Sequence, residues 1–208
     1  MNKICSKSDL AITLSSLKGF ANPKVREEQY ITDSEVAATV LWNAYLLGDI
    51  ENRVIADLGC GTGILGIGAL LLGAEKVFFI DSDEKALGIA KNNILKVKSE
   101  DYSINSEEFI CLDIGQFKTK VDVVIQNPPF GTKIKHNDII FLEKALGIGK
   151  IVYSFHKSES KGFLERFSAK KNLEITHIWN FKFPLKASFQ FHRRQVHRIN
   201  VSCLRFVN

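Results

Sequence analysis

Asp57-Leu58-Gly59-Cys60-Gly61-Thr62-Gly63 stands between a β-rich run at residues 53–57 and a helical pattern at residues 64–72. Glycines at a strand-to-helix turn permit positive φ and let a ligand approach the backbone closely. The series Gly61-x-Gly63-x-x-Gly66 also satisfies the dinucleotide fingerprint, which keeps a nicotinamide oxidoreductase in play. Asp57 points elsewhere. It puts a carboxylate at the strand's end, where a pyrophosphate is disfavoured and a cationic, ammonium-bearing ligand is favoured; Asp57 can equally orient the loop by accepting backbone N–H bonds.

Outward from this turn, strand and helix alternate. Further β-rich runs fall at 76–80, 108–112, 121–126, 149–155, 173–181 and 196–206, with helical patterns at 83–95, 138–147 and 158–171. This rhythm predicts an α/β fold with a parallel sheet covered by helices on both faces. Residues 182–195, with Pro184, read as a loop too short for a helix, so the last two strands are expected to form an antiparallel hairpin at a sheet edge. The outcome is a Rossmann-like, seven-stranded, mostly parallel sheet with a C-terminal antiparallel hairpin, the outline of a class I S-adenosylmethionine-dependent methyltransferase. Residues 1–50 read as a helical extension and 51–208 as the core of one domain. Within the extension, residues 6–18 suggest a short helix, and Thr32-Asp33-Ser34-Glu35 reads as a capping box with Thr32 as N-cap, opening a helix that ends near Gly48.

The next strands end in polar residues at the same sheet edge. Asp81 lies about twenty residues beyond the glycines, from where a carboxylate accepts both hydroxyls of a ribose. Asp83 is the expected N-cap of the following helix. After the third strand, Asp113 could meet a cofactor's adenine amine, with Ile114 covering the ring. The run Val121-Asp122-Val123-Val124-Ile125 leads into Asn127-Pro128-Pro129-Phe130. Such a sequence suits methylation of a planar, conjugated nitrogen whose lone pair is delocalised. The Asn127 side-chain oxygen and the Pro128 carbonyl can accept its two N–H bonds, Pro128 and Pro129 fix φ and remove competing donors, and Phe130 offers a stacking face. Cys60 has no His or Lys near it in sequence and reads as packing. No metal is called for, since His136, His156, His177, His192 and His197 lack ligand spacing.

Composition is that of an ordinary globular protein: 208 residues, 45% hydrophobic and 25% charged. The most apolar stretch, residues 64–74, is too short to span a bilayer, no secretory signal is evident, and four cysteines without Cys-x-x-Cys spacing suit a reducing cytoplasm. The net charge of +5 is uneven. Residues 175–208 contain no Asp or Glu but carry Lys182, Lys186, Arg193, Arg194, Arg198 and Arg205, which fits a polyanionic partner.

The chain resembles the small adenine-N6 methyltransferases of the methyltransferase-like protein 5 type, which modify an adenosine of small-subunit ribosomal RNA in archaea and eukaryotes. Besides the glycine turn, the resemblance rests on Glu28-Gln29-Tyr30-x-Thr32, Asn127-Pro128-Pro129-Phe130-Gly131-Thr132-Lys133, Val152-Tyr153-Ser154-x-His156-Lys157-Ser158 and Leu185-x-Ala187-Ser188-Phe189-x-Phe191-His192. It implies that Gln29 and Thr32 help close the cofactor pocket and that Gly59, Thr62, Ile64, Asp81, Asp113 and Ile114 line it, beside Asp57, Gly61 and Asn127. It also implies a small zinc-binding activator subunit added to a sheet edge. Thr62 stands where some members have a second Cys, and Phe130 keeps a stacking face without the Tyr hydroxyl.

The expected chemistry is S-adenosylmethionine-dependent N6-methylation of an unpaired adenosine. Lys133 and the tail residues Lys186, His192, Arg193 and Arg194, interleaved with Phe189 and Phe191, would grip RNA. Rival readings are a protein glutamine-N5 methyltransferase, a DNA adenine-N6 methyltransferase and a non-catalytic RNA-binding module.

Overall fold

The computed structural model describes residues 2–20, 32–130, 137–185 and 197–208. Among these, seven strands form one sheet: β1 (Val54–Leu58), β2 (Lys76–Asp81), β3 (Ser106–Cys111), β4 (Val121–Gln126), β5 (Gly149–Lys157), β6 (Glu174–Leu185) and β7 (His197–Val207). Their order is β3-β2-β1-β4-β5-β7-β6. The first five run parallel, β7 is antiparallel to β5, and β6 pairs antiparallel with β7. The expected sheet, with its C-terminal antiparallel pair, is therefore present. One expectation is corrected: residues 182–185 continue β6, where Pro184 pairs with Arg198. A proline lacks an N–H for the ladder, and β6 tolerates it as the outermost strand.

Among the described residues six α-helices accompany the sheet: α1 (Lys7–Ser15), α2 (Ser34–Leu46), α3 (Ile64–Leu71), α4 (Glu84–Ser99), α5 (Asn137–Ile148) and α6 (Lys161–Lys171). Buried side chains of α1 to α4, such as Leu14, Leu41, Ile67 and Ile94, make one core with Ile55, Val123, Ile125 and Tyr153. Leu142, Ala145 and Ile148 of α5 and Leu164 of α6 make the other, against Leu58, Val124, Val152 and Phe206. Alternate strand residues thus feed opposite cores, as the two-residue period of a strand requires. All of α3 is buried, and a side chain at Gly68 would collide with Leu41 of α2.

The start of α2 also differs from expectation. Its N-cap is Asp33, which accepts from the backbone N–H groups of Glu35 (3.0 Å) and Val36 (3.2 Å). Thr32 stands one residue outside the helix. The helix ends at Leu46, and Gly48 takes positive φ (77°) just beyond, as expected. Among the described residues no helix is long and apolar enough to cross a membrane.

Candidate active site

Strand order reverses between β1 and β4, and open α/β sheets bind ligands at the carboxyl ends of such strands. Asp57, next to last in β1, pairs with Ile125 of β4, so Asn127, just past the end of β4, lies at the same edge. The glycine turn departs from β1 with positive φ at Gly59 (66°), Gly61 (54°) and Gly63 (86°). Gly59 N and Cys60 N both donate to Ile80 O (2.8 and 3.0 Å), which stitches the turn to β2.

Two carboxylates hold the turn from within. Asp57 Oδ2 accepts from Gly66 N (2.8 Å), and a side chain at Gly66 would meet both this oxygen and the Phe79 ring. Asp81 Oδ2 accepts from Gly61 N and Oδ1 from Asp83 N, both at 2.8 Å. Burial pushes the Asp57 carboxyl up to about 7, opposed by the Gly66 N–H and assisted by the charge of Asp81. Burial, with the charges of Asp57 and Asp81, also pushes the Cys60 thiol well up, which suits packing rather than nucleophilic chemistry.

Two rings lie against this turn. A Cβ at Gly59 would come within 2.9 Å of the Phe141 ring from α5, and one at Gly61 within 2.8 Å of the Phe20 ring. Asn93, buried on α4, explains how the N-terminal segment reaches so far. Its Nδ2 donates to Lys18 O (2.9 Å) and Thr62 O (3.0 Å), and its Oδ1 accepts from Lys18 N (2.9 Å). One amide therefore fastens the segment leading to Phe20 onto the glycine turn.

Across the strand reversal, Asn127 Nδ2 donates to Thr32 Oγ1 (2.9 Å), and Thr32 is only 4% exposed. Asn127 Oδ1 is buried with no hydrogen-bond partner among the described residues. A buried acceptor without a partner costs about 1–3 kcal/mol. Pro128 and Phe130 are buried and Pro129 is half-buried; Phe130 packs into the core shared with α1 to α4. Gln126, one residue earlier, faces the other side of the sheet. Its Nε2 donates to Ser154 Oγ (2.9 Å), Ser154 Oγ bonds His156 Nε2 (2.8 Å), and His156 Nδ1 lies 3.5 Å from Asp138 Oδ2 at the start of α5. His156, fully buried, is thus a satisfied histidine.

The fold brings Thr32, Asp57, Gly59, Gly61, Thr62, Ile64, Asp81 and Asn127 to one edge of three adjacent strands. Asp113 follows β3, but its carboxylate caps the short turn Ile114–Gln116 by accepting from Gly115 N (2.8 Å), and Ile114 is buried in the core beneath α5 and α6. Gln29, Lys133, Lys186, Phe189, Phe191, His192, Arg193 and Arg194 lie outside the described residues. Among the described residues, no group of three or more His, Cys, Asp or Glu could hold a metal ion. Sequence reading missed Phe20, Asn93 and Phe141. Lys18 and Asn93 are 75 positions apart, and no local period announces such a contact.

The profile of the ribosomal protein L11 methyltransferase (PrmA) family matches residues 42–128, from α2 through the glycine turn to Pro128. A Methanocaldococcus jannaschii protein, MJ0284, is 39% identical over 96% of this chain and 93% of its own length. The crystal structure of PH1948 from Pyrococcus horikoshii, a candidate RNA methyltransferase, superposes with a TM-score of 0.87 at 42% identity, covering 98% of both chains. The Danio rerio rRNA N(6)-adenosine-methyltransferase METTL5 is 33% identical over 95% of this chain and 97% of its own. Likeness at this level, sustained from the N-terminal extension to the last strand, makes this chain a member of the METTL5-type rRNA N6-adenosine-methyltransferase family.

Proposed function

We propose that this protein uses S-adenosylmethionine to methylate N6 of an adenosine in RNA, and that small-subunit ribosomal RNA is the substrate. The observation that carries the reading is the Asn127 carboxamide, whose nitrogen is engaged by Thr32 and whose buried oxygen has no partner among the described residues. An exocyclic amine would relieve that oxygen. Family membership supplies the nucleic-acid context, since the zebrafish relative is named for methylating ribosomal RNA.

The residues present fit the cofactor. Asp81 ends β2 with its two oxygens holding the backbone of Gly61 and Asp83, the place from which a carboxylate accepts the hydroxyls of a ribose. Asp57 at the strand's end favours a ligand ammonium, while Gly59 and Gly61 allow close backbone approach; Gln29, Thr32, Thr62, Ile64, Asp113 and Ile114 complete the proposed pocket. When bound, the cofactor supplies an electrophilic methyl on a sulfonium. Asn127 Oδ1 and the Pro128 carbonyl each accept an N6 proton of adenine, which favours a pyramidal nitrogen with a localised lone pair. Phe130 flanks the base, and Pro128 and Pro129 hold the backbone in place. The N6 proton becomes strongly acidic once the nitrogen makes its fourth bond, so no general base is required.

Lys133, Lys186, Phe189, Phe191, His192, Arg193 and Arg194 are proposed to bind RNA, in a cytoplasmic setting that suits four free cysteines. The zinc-binding activator subunit belongs to the same proposal, with β3 and β6 as the outer strands of the sheet available to it. Replacement of Asn127 by Ala tests the core of the reading. S-adenosylmethionine binding should persist by calorimetry, while methyl transfer from labelled cofactor to ribosomal RNA should fall about a hundredfold or more. Transfer at the wild-type rate would refute it.

A further inference from the structure

We infer that Thr32 is a positioning residue for the methyl-accepting site, acting through Asn127 rather than only as a wall of the cofactor pocket. The inference rests on the proposed role of Asn127. A carboxamide can sit either way round in nearly the same space, presenting an acceptor or two donors to whatever lies before it. Only the orientation that turns Oδ1 toward a substrate amine is productive, and it leaves the Nδ2 hydrogens needing an acceptor within the protein. Thr32 Oγ1 is that acceptor, at 2.9 Å and buried. Both ends of the amide are then satisfied when an amine is bound.

The start of α2 makes Thr32 available for this. Asp33 is the N-cap, so the Thr32 hydroxyl is not consumed on the helix, and the cap holds the preceding residue against the sheet edge. Thr32 and Asn127 are 95 positions apart in the chain and otherwise share no element.

The experiment compares wild type with Thr32→Val, which keeps the shape and removes the hydroxyl, and with Thr32→Ser, which keeps the hydroxyl. Val should lower kcat for methyl transfer to ribosomal RNA about tenfold to a hundredfold, as stranding a buried donor implies, a factor larger than any rise in the cofactor Kd. Ser should restore kcat to within a few-fold. Independently of activity, NMR of the cofactor-free protein should show slowly exchanging Nδ2 protons for Asn127, assigned by their loss in Asn127→Asp, and faster exchange in Thr32→Val. A variant whose Kd rises while kcat holds would overturn the inference, making Thr32 a cofactor contact alone. Unprotected Nδ2 protons in the wild type, or protection unchanged by Val, would overturn it too. A wild type that binds cofactor yet methylates no RNA defeats the proposed function instead, and the amide protons then decide the role of Thr32 by themselves.

Discussion

The two halves of the site are built on opposite terms. On the glycine-turn side, Asp57 and Asp81 spend their oxygens on Gly66, Gly61 and Asp83, and Gly59 and Cys60 are tied to β2. That side is shaped before any ligand arrives. On the other side, Asn127 is held at its nitrogen and, among the described residues, left unmet at its oxygen. Internal bonds fix the geometry of the first half, whereas the second keeps an unfilled acceptor in buried surroundings, where a hydrogen bond is worth most. Rigidity characterises the proposed donor pocket, and an unsatisfied oxygen the proposed acceptor pocket.

The first half carries a hidden cost that pH exposes. Asp57 is buried and its carboxyl is raised to about 7 from an ordinary 3.8. Folding therefore favours the protonated form. The associated stability is full below about pH 4 and is lost as pH climbs through about 7, a change on the order of 4 kcal/mol. Chemical denaturation of the cofactor-free protein between pH 5 and 8 should show the decline, and Asp57→Asn should flatten it. Stabilisation by an ammonium-bearing ligand should grow over the same interval, because the ionised carboxylate is the form that attracts it.

A smaller effect should come from Gly66→Ala. A methyl there meets the Phe79 ring and the Asp57 oxygen while helical φ is retained, so overpacking alone should cost about 1–3 kcal/mol in urea unfolding. Cofactor affinity should fall with it, since the same oxygen holds the turn. A change that leaves affinity intact would show the turn to be less rigidly built than these contacts imply.

The smallest effect belongs to the acceptor side. Asp33→Ala should destabilise by about 1 kcal/mol through the lost cap of α2, and Asp33→Asn should be nearly neutral, both by thermal melts. If Ala at 33 also lowers kcat, the helix start and the Asn127 amide are coupled as the position of Thr32 suggests.

Much of this was legible in the chain. Asp57 to Gly63, Asp81 and Asn127 to Phe130 punctuate an alternation of strand and helix, and local patterns located the strand ends to within about two residues, except the end of β6, which runs on to Leu185. Two local readings slipped for physical reasons. Thr32 to Glu35 matches the capping-box pattern, yet Asp33 offers a better-placed acceptor and takes the cap. Pro184 signals a loop by its missing N–H, but an outermost strand has one row of donors that need not pair. What could not be read were the long-range bonds, Asn127 with Thr32 and Asn93 with Lys18, because they are properties of packing and not of any period in the sequence.

Asn93 has a consequence for how this edge of the molecule is held. A single side chain spans the backbone at Lys18 and the carbonyl of Thr62, with the Phe20 ring resting on Gly61 nearby. That one amide couples the leading strap to the loop, so a change at Asn93 is felt by both segments at once.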